Sequence, residues 1–299
     1  MPARQNPGWR PEVSFTTLVD VPTVRAHLGD PEWRIIDVRH RLADVAYGER
    51  AYGESHLPGA VFLHCDRDLS AKQNGHNGRH PLPSRETFAK LLGEIGIGPQ
   101  TQVVVYDDTQ GMIAGRVWWM LRWLGHVWVA LLDGGWPAWL AAGGEISSQA
   151  VIPQRREFLT VAGAMPVDAT YVLENIESAA MCLIDARSPD RYRGENEMID
   201  PVGGHIPGAV NRFFADNNQA AGTLKPAALL RAEWLAILAG TPPEQVVHQC
   251  GSGVSACLNV LSMEVAGLSG SRLYAGSWSE WCSDPARPIV LQDLLVEKK

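Results

Sequence analysis

The chain has 299 residues, 45% apolar and 20% charged, with 20 prolines and 29 glycines spread along it and a formal net charge of −7. That length predicts two compact units at roughly 100 to 200 residues per domain, and the apolar content excludes a disordered or fibrous chain. The negative balance, with no basic cluster beyond short pairs such as Arg155-Arg156, excludes nucleic acid and anionic membranes as partners.

In chain order, residues 1–13 are polar and proline-rich and lack the apolar run of a secretory leader. A buried strand is predicted over 33–38, a helix over 84–95 opened by a Ser84 cap, and a strand over 102–106. A helix over 112–124 then stops at Gly125, and a strand follows over 127–132. The most apolar stretch, 117–132, carries Arg122, Gly125 and His126 and is shorter than the roughly 20 residues of a membrane span. Small and polar residues fill 143–163. Beyond them the pattern resumes at 181–184, 226–238, 245–249, 255–266 and 272–274. Alternating strands and helices predict an α/β fold with mostly parallel sheets covered on both faces. Five cysteines, an odd number with no Cys-x-x-Cys pair, point to reduced thiols in a cytoplasmic protein rather than a disulfide framework or a zinc ribbon.

The chain also repeats itself once. Ile36-Asp37-Val38-Arg39 returns as Ile184-Asp185-Ala186-Arg187, and His56-Leu57-Pro58-Gly59-Ala60 returns as His205-Ile206-Pro207-Gly208-Ala209, 148 and 149 residues on. Val103 to Asp107 answers Val246 to Cys250, and Trp136 and Trp139 answer Trp278 and Trp281, at spacings of 143 and 142. Two copies of one fold follow, a domain over 12–145 and a domain over 164–295 joined by a linker over 146–163. The tryptophans read mainly as core and interdomain packing.

The second copy holds the chemistry. Val246-Val247-His248-Gln249-Cys250-Gly251-Ser252-Gly253-Val254-Ser255 is a buried strand running into a cysteine, a glycine-rich turn and a helix start. Loops at the carboxyl ends of parallel strands are the usual ligand site. Gly251 and Gly253 permit backbone angles that turn successive N–H groups inward, and with the helix end they favour an anion at Cys250. Cysteine is nucleophilic as the thiolate. A lone strand-Cys-Gly fits a core cysteine as well; the paired glycines and following helix select the reactive thiol.

The loop Cys-Gly-Ser-Gly-Val-Ser-Ala, the Asp-Ala-Arg strand end, Gly-His-Ile-Pro-Gly-Ala and Gly-Ser-Trp-Ser-Glu-Trp together resemble the two-domain rhodanese family, within it most nearly the 3-mercaptopyruvate and thiosulfate sulfurtransferases. The resemblance implies tandem rhodanese-like domains, each a mostly parallel sheet flanked by helices, with only the second catalytic; Asp107 stands where Cys250 would be in the first. It implies sulfur transfer from a small anionic donor through a Cys250 persulfide to cyanide, a thiol or thioredoxin, with no cofactor and no metal. Arg191 matches the family's donor-binding arginine, Arg193 is a weaker candidate, and the loop residues Gly251, Gly253, Val254 and Ser255 complete the donor site. Ser252, His80 and Asp66 match a proton relay to the departing enolate; an interdomain packing histidine fits His80 equally well. A His76/His80 metal pair is disfavoured by Asn77-Gly78 between them.

Arg187 recurs as Arg39 in the copy without the cysteine, and so reads as a structural ion pair with Asp185. Gly251 and Ser252 leave little positive charge after the cysteine, which tilts the donor towards mercaptopyruvate. The segment 195–202 lacks the second substrate arginine often found there, which weakens that tilt and keeps thiosulfate as the alternative. A phosphatase of the same fold is excluded, since Cys-x5-Arg is required and Ala256 holds the sixth position after Cys250. A non-catalytic persulfide carrier needs the same cradle and stays open.

Overall fold

The computed structural model describes residues 14–176, 178 and 180–291; the leader judgement on residues 1–13 and the outer domain bounds at 12 and 295 lie outside them. Two parallel sheets form. The first has the order β1-β5-β4-β2-β3, with β1 Leu18–Val19, β2 Trp33–Asp37, β3 Val61–Phe62, β4 Gln102–Tyr106 and β5 Val129–Leu132. The second has the order β7-β6-β8-β9, with β6 Cys182–Asp185, β7 Val210–Asn211, β8 Val246–Gln249 and β9 Arg272–Leu273. Every pairing is parallel, and the registers Asp37↔Tyr106 and Asp185↔Gln249 are equivalent. Asp107 and Cys250 therefore leave the same end of the same central strand in the two sheets.

The β-branched runs Val103-Val104-Val105 and Val246-Val247 are fully buried, as expected of strands covered on both faces. The helix Arg85–Glu94 begins where Ser84 accepts from the Thr87 amide, as its sequence predicts. The helix Ala114–Trp123 starts two residues later than expected because the Asp107 carboxylate takes the Ile113 and Ala114 amides.

The domains meet along the Ala114–Trp123 and Ala256–Val265 helices, which share one apolar core including Trp118, Trp119, Leu258 and Leu261. Gly115 makes the approach possible: a Cβ there would stand 3.2 Å from the Leu258 amide nitrogen. The segment between the repeats is tied down on the first domain, with the Arg156 amide bonded to the Gly93 carbonyl and its guanidinium paired with Glu32 at 2.8 Å. Among the described residues no helix is long and apolar enough to cross a membrane.

Candidate active site

Cys250 is 2% exposed and forms the floor of a cavity of about 210 Å3 between the domains, room for on the order of ten water-sized positions. The loop supplies Gly251, Ser252, Val254 and Ser255 to its wall; Arg187, Ser188, Arg191, Phe213 and Phe214 complete the second domain's side. The first domain contributes Arg79 and His80 as polar groups, and Leu42, Met112 and Ile113 as apolar ones.

The turn leading into Ser277–Trp281 clamps the cysteine's backbone. The Cys250 amide donates to Ser277 Oγ at 3.1 Å, and its carbonyl accepts from the Trp278 amide at 3.0 Å. Ser277 holds a left-handed φ of 54° to do this, a conformation that strains a residue with a Cβ and is tolerated where surrounding structure enforces it. Gly253 also has a positive φ, 75°, and a Cβ on it would collide with the Ala275 carbonyl. Gly253 is not among the residues lining the cavity; its lack of a side chain lets the loop pack on Ala275.

Ser252, His80 and Asp66 form one hydrogen-bonded chain across the interface. His80 Nε2 lies 3.0 Å from Asp66 Oδ1, and His80 Nδ1 lies 2.7 Å from Ser252 Oγ. With Nε2–H donating to the carboxylate, Nδ1 is the acceptor for the serine hydroxyl. The His80 hydrogen bond is the main cause holding the Asp66 carboxyl below its usual range. Asp66 sits on the short helix Cys65–Asp68, whose first amides are capped by His64 Nδ1. His80 is 6% exposed, and its carbonyl is fixed by Arg116, a fully buried side chain that also donates to the Gly253 carbonyl at 2.9 Å. Arg116 thus locks the histidine of one domain to the cysteine loop of the other. Nothing in the sequence marked it, because its partners lie 36 and 137 residues away.

The arginines divide. Arg187 pairs with Asp185 at 2.6 Å and stacks on Trp278 at 4.6 Å, as Arg39 pairs with Asp37 at 2.6 Å and stacks on Trp136 at 4.5 Å; the repeated pair is structural in both copies, and in the second it also lines the cavity. Arg191 faces the cavity while held by Glu197 and Asp200 at 2.9 and 3.0 Å. Arg193, expected as a further anion ligand, points to solvent and pairs with Glu195 at 2.8 Å. One helical turn of Pro189–Tyr192 puts Arg191 on the cavity face and its second neighbour on the opposite one. Arg79 is in the cavity and was not singled out from the sequence.

Two groups of potential metal ligands lie beside the relay, Cys65/Asp66/His80 and His40/His64/Asp66. Both ring nitrogens of His80 and of His64 are engaged in hydrogen bonds, and burial pushes the Cys65 thiol up to about 12. His76 lies on an exposed turn, its amide bonded to Asn74.

The first domain shows what the loop geometry can hold. At the position matching Cys250, the Asp107 carboxylate accepts from four backbone amides, those of Thr109, Gly111, Ile113 and Ala114, at 2.8 to 2.9 Å. In the second domain the amides of residues 251–255 donate to no oxygen among the described residues.

A model of the Rhodanese-like domain matches residues 20–142 and 168–284. The chain is 42% identical over 284 residues to a protein of Pseudomonas aeruginosa named probable 3-mercaptopyruvate sulfurtransferase, covering 94% of this chain and 100% of that one. It is 40% identical to the putative thiosulfate sulfurtransferase SseB of Mycobacterium tuberculosis, covering 87% of this chain and 91% of that one. Among solved structures, the 3-mercaptopyruvate sulfurtransferase of Leishmania major superposes with a TM-score of 0.80 at 29% identity, over 91% of this chain and 75% of that one. SseA of Escherichia coli superposes with a TM-score of 0.76 at 31% identity, over 89% of this chain and 100% of that one.

Proposed function

The chain belongs to the rhodanese family as a sulfurtransferase of two rhodanese-like domains, and from that premise we propose that Cys250 takes sulfur from 3-mercaptopyruvate and carries it as a persulfide. The observation that supports this donor is the chain Ser252–His80–Asp66, which ends two residues from the nucleophile. The Cys250 thiolate attacks the donor's thiol sulfur, so an S–S bond forms as the C–S bond breaks and its electron pair passes to the enolate of pyruvate. Ser252 gives its hydroxyl proton to that enolate, and His80 Nδ1, buttressed by Asp66, returns to Ser252 the proton released as Cys–S–SH ionises. Pyruvate leaves and Cys–S–S⁻ remains; a thiophilic acceptor, a thiol such as thioredoxin or cyanide, then removes the outer sulfur, cyanide as thiocyanate, and regenerates the thiolate. Splitting the transfer through a covalent intermediate is the contribution of the nucleophile, and general acid catalysis of the enolate step is worth about 10² to 10⁴ in rate. All five cysteines are free thiols, which fits a reducing, cytoplasmic setting.

Thiosulfate is the second reading, favoured by the guanidinium groups around the cavity. It needs no proton relay, because sulfite departs as a stable dianion. The deciding experiment is kcat/KM for both donors with cyanide as acceptor, alongside the mass of the protein after each donor. A gain of about 32 Da at Cys250 with mercaptopyruvate, continued turnover and a higher kcat/KM for that donor are the expected results. A large advantage for thiosulfate overturns the choice of donor, and a single stoichiometric burst overturns the enzyme in favour of a carrier.

A further inference from the structure

Gly251, the residue after the nucleophile, stands between two guanidinium groups that reach it from different domains. A Cβ built on Gly251 would meet Arg79 Nη2 at 2.9 Å and Arg191 Nη1 and Nη2 at 3.5 and 3.6 Å. Arg79 is anchored through Nη1 to Asp200, and Arg191 through Nε and Nη2 to Glu197 and Asp200. Arg79 Nη2 and Arg191 Nη1, the arms nearest Gly251, have no hydrogen-bond acceptor among the described residues. Both residues line the cavity of Cys250, whereas Asp200, 3% exposed, lies behind them. The segment 195–202 itself contains no arginine. Two free N–H arms converging on a gap that any side chain at position 251 would fill describe a cradle for a planar anion.

Resting on the reading of Cys250 as the sulfur-accepting thiol, we propose that Arg79 is the second donor-binding guanidinium of this site, delivered by the first domain. The donor's carboxylate lies between Arg79 Nη2 and Arg191 Nη1, over Gly251. Asp200 is the positioning residue: one buried carboxylate shared by both arginines aims their free arms into the cavity. It also sets the charge. Arg79, Arg187 and Arg191 are offset by Asp200, Asp185 and Glu197, so the wall presents donors without a net positive charge, which suits the single carboxylate of an α-keto acid better than the two charges of thiosulfate.

The test is steady-state kinetics with both donors at saturating cyanide for R79Q, R79K and D200N, with the melting temperature and near-ultraviolet circular dichroism of each variant as checks of folding. Loss of one charge-assisted bond corresponds to about a tenfold or larger effect. R79Q is expected to raise KM for mercaptopyruvate about tenfold or more with kcat within about threefold, and R79K, which keeps the charge but loses the fork, to raise it by less than R79Q but by at least about threefold. D200N is expected to shift the ratio of kcat/KM values towards thiosulfate by about fivefold or more. A folded R79Q or R79K whose KM for both donors stays within about twofold of the parent overturns the proposal. Should the parent gain sulfur only from thiosulfate, the donor assignment above fails, and the effect of R79Q on the thiosulfate KM still decides the role of Arg79.

Discussion

The two strand-to-helix loops of this molecule are built alike and filled differently. In each, a central strand delivers one residue to its carboxyl end, and a following turn clamps that residue's carbonyl, the Trp136 amide on Asp107 at 2.8 Å and the Trp278 amide on Cys250 at 3.0 Å. In the first domain the delivered side chain is a carboxylate that satisfies four amides by itself. Burial pushes the Asp107 carboxyl up while those amides pull it down. In the second domain the side chain is a thiol, one atom shorter. On the proposed mechanism, the outer sulfur of a persulfide stands as many bonds from the Cys250 backbone as a carboxylate oxygen stands from that of Asp107. On that mechanism the loop is an anion cage in both copies, closed by its own carboxylate in the first and by the transferred sulfur in the second.

The sharpest way to break that comparison is to exchange the two side chains. Cys250→Ser is expected to lower turnover by at least about a thousandfold with the fold intact by circular dichroism. Adding Asp107→Cys to that variant should restore nothing, because the first loop has no Ser–His–Asp chain facing it; recovery of activity would mean that the cage alone suffices. Asp107→Ala should cost about 3 kcal/mol or more in urea unfolding, since it strands four buried amides, whereas Cys250→Ala should cost less than half of that. Equal losses would contradict the assignment of one residue to structure and the other to chemistry.

Ser252→Ala and His80→Gln are expected to lower kcat with mercaptopyruvate about a hundredfold and to leave thiosulfate turnover within a few-fold, because only the enolate requires a proton. A matched fall with both donors would assign these residues to loop positioning instead. The smallest effect concerns the other thiols. Burial pushes Cys65 up to about 12 and Cys282 up to about 11, and raises Cys182 and Cys257 as well. At pH 8 these four stay protonated, and their alkylation by iodoacetamide should rise about tenfold per pH unit. Cys250 is expected to label about tenfold faster than any of them at that pH, as mapped by peptide mass spectrometry.

The repeat at spacings of 142 to 149 residues made two like domains legible, because each copy had to bury the same strand runs and turn at the same Pro-Gly. Cys250, the proposed nucleophile, was marked by its own loop, and Asp107 stands at the matching position of the first copy. Element edges were less so: the Asp107 side chain caps the next helix and moves its start to Ala114, an effect invisible to apolar periodicity. Gly253 and Arg193 lie beside true cavity residues in sequence, and their placement turned on a positive φ and on one helical turn respectively.

By itself the sequence determined the α/β class, the duplication and the single cysteine that differs between the copies, since strand patterning and glycine punctuation are local properties of a chain. The tertiary structure alone brought in the side chains that no motif marked, Arg79, Arg116 and Asp200. Arg79 of the first domain is 171 residues from Cys250, Asp200 holds it from the second domain, and Arg116 fixes His80 from a separate segment. Bringing such groups together depends on how two helices pack across an interface, which residue spacing does not encode.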